Sequence, residues 1–258
     1  MSDEPLLLVV DDDPDFRVLL NRFLRREGFR IIEAGGGAEA LAVCAEARPE
    51  LVLLDVEMPD LDGFAVCRQL REDRRFRTLP VIMVTGHDDD ASVDRAYQAG
   101  ADEYITKPFH RGALRNRVHY LIQAKRSEQE LKQTRRYLQN IIDSMPSVLV
   151  SVDGVGHVTL WNRAAEHATG VAADSARGRP LEQIYPILGA QMEAVRQSIH
   201  ERAPRKTERL KSQVAGEIHY TDVMIYPLLA NGAEGAVIRV DDVTARVRIE
   251  DMMVRRKR

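Results

Sequence analysis

A chain of 258 residues, 44% hydrophobic and 30% charged, is long enough for about two domains and too apolar to remain disordered. A net charge of -3 excludes an overall basicity suited to nucleic acid. No apolar run approaches the ~20 residues of a membrane span, and the acidic start Met1-Ser2-Asp3-Glu4-Pro5 lacks the positive charge of a signal peptide.

Residues 6 to about 108 alternate strand-like and helix-like segments. Leu6-Leu7-Leu8-Val9-Val10 runs into Asp11-Asp12-Asp13. Pro14 then opens a helix with an apolar stripe of Phe16, Leu19, Leu20, Phe23 and Leu24, ended by Gly28. A second strand is expected over residues 29–32 and a second helix over 38–47. Leu51-Val52-Leu53-Leu54 ends at Asp55, before a third helix over 64 to about 72. Val81-Ile82-Met83-Val84, preceded by Pro80, ends at Thr85-Gly86; a fourth helix over 88–99 is closed by Gly100. The fifth strand ends at Thr106, before Lys107-Pro108. Short apolar runs that stop at a polar residue mark strands buried on both faces, so the expected fold is α/β, a doubly wound five-stranded parallel sheet. Cys44 and Cys67 fall inside the helical patterns without partner spacing and read as small buried hydrophobes of a reducing cytoplasm.

From Gly112 the pattern becomes polar and helical up to about residue 140. Placed on a heptad, the a sites are Leu114, Leu121, Glu128, Arg135 and Ile142, and the d sites Arg117, Ala124, Leu131, Leu138 and Met145. This imperfect seam leaves open a long single helix or a two-stranded coiled coil. Residues 148–152 and 157–161 read as a hairpin around Asp153-Gly154. Helical segments follow over 162–168 and 189–201, then strands over 206–211, 217–226 and 236–241, with Asn231-Gly232 as a turn. The second half is therefore expected to be α+β around an antiparallel sheet.

Ligands of parallel sheets bind outside the carboxyl ends of the strands. Asp11, Asp12 and Asp55, one hydroxyl (Thr85) and one lysine (Lys107) should meet there. Mg²⁺ takes carboxylates, phosphate oxygens and water. Asp12 and Asp55 can supply such ligands and Asp11 can hold a metal water. An aspartate can itself attack phosphorus to give an aspartyl phosphate, with Thr85 and Lys107 as the further donors. Taken singly, each acid could simply cap a turn or helix start; all five at successive strand ends point to chemistry.

Val10-Asp11-Asp12-Asp13-Pro14, Leu54-Asp55-Val56-Glu57-Met58-Pro59-Asp60-Leu61-Asp62-Gly63, Val84-Thr85-Gly86 and Tyr104-Ile105-Thr106-Lys107-Pro108 resemble the receiver domain of two-component response regulators. The resemblance implies that Asp55 accepts a phosphoryl group and that Asp11, Asp12, Asp55 and the Glu57 carbonyl serve Mg²⁺. Thr85 and Lys107 would hold the phosphoryl oxygens, and Lys107-Pro108 would be cis. Tyr104 would be an aromatic switch that turns inward when Thr85 moves, or else a plain core aromatic. Glu57 and His87 would flank the path of the hydrolytic water and set the lifetime of the phosphoryl group. Gly86 departs mildly from the family's commoner alanine. The haloacid-dehalogenase type of phosphatase uses similar groups, but its motif follows the first strand, whereas here the nucleophile follows the third. Gly35-Gly36-Gly37 lacks the position and spacing of a dinucleotide fingerprint.

Gly156-His157-Val158-Thr159-Leu160-Trp161-Asn162-Arg163-Ala164-Ala165-Glu166, with Gly170, resembles a PAS sensor domain, and Asp242-Val243-Thr244 resembles the motif coupling such a domain to an output helix. The resemblance leaves the PAS ligand open. Both cysteines lie in the first domain, against a flavin–cysteine site, and His200, at a helix end, is expected to be satisfied or exposed and not a haem ligand. Trp161 is expected in the core. His200-Glu201-Arg202-Ala203-Pro204 faintly resembles a phosphoacceptor-histidine box, but Pro204 comes one place early and no nucleotide-binding segment follows; kinase activity is not expected of this chain.

The expected organisation is a receiver domain over 1–124, a signalling helix over 112–145, a PAS domain over 134–248, and the start of an output helix or a basic tail over 249–258. The expected function is a cytoplasmic response regulator of a phosphorelay, a homodimer phosphorylated by a histidine kinase or phosphotransfer protein, with autophosphatase chemistry and no nucleic-acid or membrane partner. The competing expectations are an interaction scaffold, or the N-terminal part of a hybrid histidine kinase.

Overall fold

The structure, a computed structural model, describes residues 4–86, 90–214, 217–228 and 235–256 and divides into two units, Met1–Lys132 and Gln133–Arg258. The first unit runs β1 (Leu6–Val10), α1 (Pro14–Arg26), β2 (Arg30–Ala34), α2 (Gly37–Ala47), β3 (Leu51–Asp55), α3 (Gly63–Glu72), β4 (Val81–Thr85), α4 (Asp90–Gln98), β5 (Glu103–Thr106) and the start of α5 (Arg111–Ser144). All pairings are parallel, in the order β2-β1-β3-β4-β5.

Period-two alternation explains why the strands read as unbroken apolar runs. Leu8, Val10, Val52, Leu54 and Met83 point to one face and pack with α2 and α3 residues such as Ala40, Cys44, Phe64 and Leu70. Leu7, Val9, Leu51, Leu53, Ile82 and Val84 point to the other and pack with Leu20, Leu24, Leu114, Val118 and Ile122. Cys44 and Cys67 are buried, free thiols; burial pushes the Cys44 thiol up to about 11.

Three expectations are corrected. Leu19, placed in the buried stripe of α1, is 47% exposed; Leu20 and Leu24 carry that face. β2 lies two residues later at its end than residues 29–32, because its register is set by pairing Leu6 with Arg30 and Val10 with Ala34. Leu114, placed at an a site of the heptad, is fully buried with Val118 and Ile122 in the first unit's core. The i, i+4 spacing of these residues serves that core. Farther along, the d-site residues Leu131 and Leu138 are exposed, as is Met145. The expected start of α4 at residue 88 lies outside the described residues.

The second unit continues from the end of α5 through β6 (Val148–Asp153), β7 (Val158–Trp161), α6 (Arg163–Thr169), the short turns α7 (Ala173–Ala176), α8 (Leu181–Ile184) and α9 (Pro186–Gly189), then α10 (Met192–Glu201), β8 (Arg205–Val214), β9 (Glu217–Leu228), β10 (Gly235–Asp242) and α11 (Thr244–Arg256). Its sheet is antiparallel, in the order β7-β6-β10-β9-β8. Val150, Leu181, Leu188, Val195, Ile225 and Ile238 share one core with the buried Trp161, whose indole donates to the Val171 carbonyl at 3.0 Å. The Asn231-Gly232 turn lies outside the described residues.

Candidate functional site

Asp11 directly follows β1, Asp55 ends β3, Thr85 ends β4 and Lys107 directly follows β5. Because β1 pairs with β3, β3 with β4 and β4 with β5, these four positions are brought to one edge of the sheet. One oxygen each from Asp11, Asp12 and Asp55 lie within 4.8 Å of one another. Asp11 and Asp55 are buried and Asp12 is exposed. Lys107 Nζ donates to Asp11 Oδ2 at 2.7 Å and to Asp55 Oδ1 at 2.9 Å, and stands 4.1 Å from the centre of the Phe16 ring. Three hard oxygen donors so close together fit Mg²⁺, which prefers one or two carboxylates and completes its shell with water and phosphate.

Burial sets the electrostatics. Loss of water pushes the Asp55 carboxyl from 3.8 up to about 6; the Lys107 hydrogen bond opposes this and the charges of Asp11 and Asp12 add to it. Burial also pulls the Lys107 amine down, but its bonds to Asp11 and Asp55 outweigh that and the net direction is up. The ammonium is therefore charged, and Asp55 is an anion held at a cost.

The loop after β3 is built for close approach. A Cβ on Gly63 would lie 2.2 Å from the Asp55 carbonyl oxygen, so no other residue fits there without moving the loop. Asp62 caps α3 by accepting from Ala65 N at 2.7 Å, and Asp13 caps α1 by accepting from Asp15 N at 2.9 Å; for these two acids the capping role is the one seen. Glu57, Met58 and Thr85 line a cleft of about 360 Å³ beside Asp62 and Phe64. Thr85 is buried; Tyr104 is half-buried and packs against the core on the α2 and α3 side. Lys107-Pro108 is cis, and Lys107 N donates to the Thr85 carbonyl at 2.6 Å. His87 lies outside the described residues.

One contact was not read from the sequence. Asp60 accepts from Gly37 N and Ala38 N at 3.1 Å each, which ties the loop after β3 to the first turn of α2. The backbone donors, Ala38 first, hold its carboxyl below the usual range. The Gly-rich run before α2 was the available signal, since a Cβ on Gly36 would press on Asp60 at 2.9 Å.

In the second unit Thr244 N donates to Asp242 Oδ1 at 2.9 Å, and Thr244 Oγ1 accepts from Tyr220 N at 2.9 Å, fixing the start of α11 to β9. The buried Asp222 accepts from Arg209 N and from the Arg246 guanidinium, both at 2.9 Å, and Arg209 reaches Glu250 at 2.6 Å. At the other end, Asn162 is fully buried with four hydrogen bonds. Its Oδ1 accepts from Leu149 N and Ala165 N, and its Nδ2 donates to the Ile142 and Ser147 carbonyls. His200 is exposed at the end of α10.

Residues 7–119 match the response regulator receiver domain, and residues 142–248 match the PAS fold. The transcriptional regulatory protein AfsQ1 of Streptomyces coelicolor is 36% identical over 139 residues, 54% of this chain and 60% of its own. The transcriptional regulatory protein ResD of Bacillus subtilis is 44% identical over 108 residues, 42% of this chain and 44% of its own. The chain thus spans about half the length of these curated relatives. The crystal structure of a signal receiver domain from a histidine kinase of Syntrophus aciditrophicus shares 35% identity, covering 46% of this chain and 91% of that one with a TM-score of 0.45. The chain thus carries a response regulator receiver domain over residues 7–119, followed by a PAS fold over residues 142–248.

Proposed function

We propose that the chain receives a phosphoryl group on Asp55 from a histidine kinase or phosphotransfer protein and passes the resulting change to its PAS domain. The observation that carries this is the contact of Lys107 with both Asp11 and Asp55 inside a cluster of three carboxylates. A buried anion of raised pKa beside a fixed cation is a nucleophile awaiting an electrophile.

Mg²⁺, held by Asp11, Asp12, Asp55 and the Glu57 carbonyl, would supply positive charge for the phosphoryl oxygens. An Asp55 oxygen attacks phosphorus, the P–N bond to the donor imidazole breaks, and that nitrogen keeps the electron pair. Lys107 exchanges its contact with Asp55 for a phosphoryl oxygen, and the Thr85 hydroxyl donates to another. The inward shift of Thr85 opens space for Tyr104, which changes the surface formed by α4, β5 and α5. Return is by in-line attack of water on phosphorus, at a rate set by Glu57 and His87.

Asp242 and Thr244 couple the PAS sheet to α11. The exposed residues Leu131, Leu138 and Met145 form the seam of a parallel homodimer, with Glu128 and Arg135 keeping it weak enough for either domain to shift. Among the described residues no helix is long and apolar enough to cross a membrane, and we assign the protein to the cytoplasm.

Beryllofluoride with Mg²⁺, a stand-in for a bound phosphoryl group, tests the site. It should raise the melting temperature of the wild-type protein and leave Asp55→Ala unmoved. An equal rise in both proteins would place the anion elsewhere.

A further inference from the structure

The opposite end of the receiver sheet holds a second cleft, of about 430 Å³, which the chemistry at Asp55 does not use. It opens between the loop before β3, the loop before β4 and the outer face of α5. Glu50 immediately precedes β3, and Asp55 ends it, so the cleft and the carboxylate cluster are separated by the length of a strand, roughly 16 Å. The volume lies in the range of small-molecule sites.

Its walls divide by chemistry. Phe76, Leu79 and Ile122 are buried and supply an apolar floor. Around it stand the cations Arg48, Arg75, Lys125 and Arg126, against Glu50 as the one lining carboxylate. Glu50 is already taken up by a bidentate fork from Arg126, at 3.0 and 3.2 Å. The Arg75 guanidinium, which donates to Asp73 Oδ2 at 2.7 Å, lies 5.0 Å from the centre of the Phe76 ring and gives the aromatic floor a flat, polar edge. Lys125 reaches its nearest acid, Glu128, only at 3.6 Å, and Glu128 is bonded by Lys132 as well.

Arg48 adds an independent sign. It caps α2 in the left-handed region at φ 50°, where glycine or asparagine is favoured. Its guanidinium has no ion pair among the described residues. The chain thus keeps an unneutralised cation at the cleft's mouth on a strained backbone, a combination that points to use and not to folding.

We propose that this cleft binds a nucleotide. A flat heteroaromatic base lies on the Phe76 and Ile122 floor beside Arg75. Its phosphates sit between Arg48 and Lys125, where planar and point cations match a multiply charged anion. Gln129 and Thr78, at the polar rim, offer an amide and a hydroxyl to the base edge. The site exists because α5 continues past its last core residue, Ile122, carrying Lys125, Arg126 and Gln129 over the sheet end.

Fluorescence anisotropy of N-methylanthraniloyl ATP and GTP, titrated with the full chain, tests this. Saturable binding of at least one, displaced by the unlabelled nucleotide and much less by tripolyphosphate, is expected. Arg48→Gly with Lys125→Glu should weaken it at least roughly tenfold. The glycine suits the left-handed backbone, so the fold should hold; the response of this variant to beryllofluoride and Mg²⁺ should be unchanged. Gln129→Glu, on exposed helix surface, gives a second variant with the same expected direction should the first melt early. No saturable binding below about 1 mM nucleotide overturns the proposal. So does equal displacement by tripolyphosphate, which would reduce the cleft to an anion patch, or undiminished affinity in folded variants.

Discussion

Replacing Asp55 with asparagine should stabilise the metal-free receiver at neutral pH. Burial raises the Asp55 carboxyl from 3.8 to about 6. At about 1.4 kcal/mol per tenfold change in proton affinity, the ionised side chain costs the folded state roughly 3 kcal/mol. The sign follows from linkage: the folded protein holds this proton more tightly than the unfolded chain. The stability it contributes is complete below about pH 4 and is lost as pH rises through about 6. Asparagine fills the same space without the charge. Lys107 then loses one of its two carboxylates but keeps Asp11 at 2.7 Å, so part of the gain is given back, leaving about 2 kcal/mol. For a unit of this size that is roughly 5–10 °C in melting temperature. Scanning calorimetry in chelator at pH 7.5 reads it directly. The single tryptophan, Trp161, lies in the second unit, so the receiver transition is the one that tryptophan fluorescence does not follow. The gain should shrink toward zero at about pH 4.5, where wild-type Asp55 is largely protonated. A variant no more stable than wild type at pH 7.5, or equally stabilised at both pH values, would refute the assignment of a desolvated anion.

Gly63→Ala places a methyl group 2.2 Å from the Asp55 carbonyl; denaturant unfolding should show a loss of roughly 1–3 kcal/mol, with slower labelling by acetyl phosphate. Asn162→Ala removes four hydrogen bonds from a fully buried position; urea unfolding followed by Trp161 fluorescence should register a loss of about 3 kcal/mol or more, since backbone groups are left unpaired. Leu131→Lys with Leu138→Lys, at exposed positions, should leave both units folded and loosen the proposed dimer in sedimentation at micromolar concentration; a wild-type protein that is monomeric with and without beryllofluoride would remove the seam.

The receiver site was legible because each chemical residue ends an apolar run. Asp11, Asp55, Thr85 and Lys107 needed only the pairing of adjacent strands to meet, and parallel strands with short crossovers pair in few ways. Contacts made by residues far apart in sequence, on backbone groups, were not legible. Asp60 accepts from Gly37 N and Ala38 N across 23 and 22 positions, and a backbone donor has no letter in the sequence. Arg71 likewise bonds the carbonyls of Gly100 and Leu79 at 2.8 Å each. The core role of Leu114 was hidden for a different reason. Leu114, Val118 and Ile122 satisfy a helical core stripe, and Leu114 fits a heptad equally well; only packing decides between them. Arg48 and Arg209 adopt positive φ without the glycine that usually announces it.

The most direct test of the central claim is chemical. The full chain is incubated with acetyl phosphate and Mg²⁺, and the modified residue is located by peptide mass spectrometry. One added phosphoryl group on Asp55, acid-stable enough to map but released by hydroxylamine as an acyl phosphate, is the expected result, absent without Mg²⁺ and absent in Asp55→Ala. Phosphoryl incorporation that persists in Asp55→Ala, or none in the wild-type protein, would contradict it.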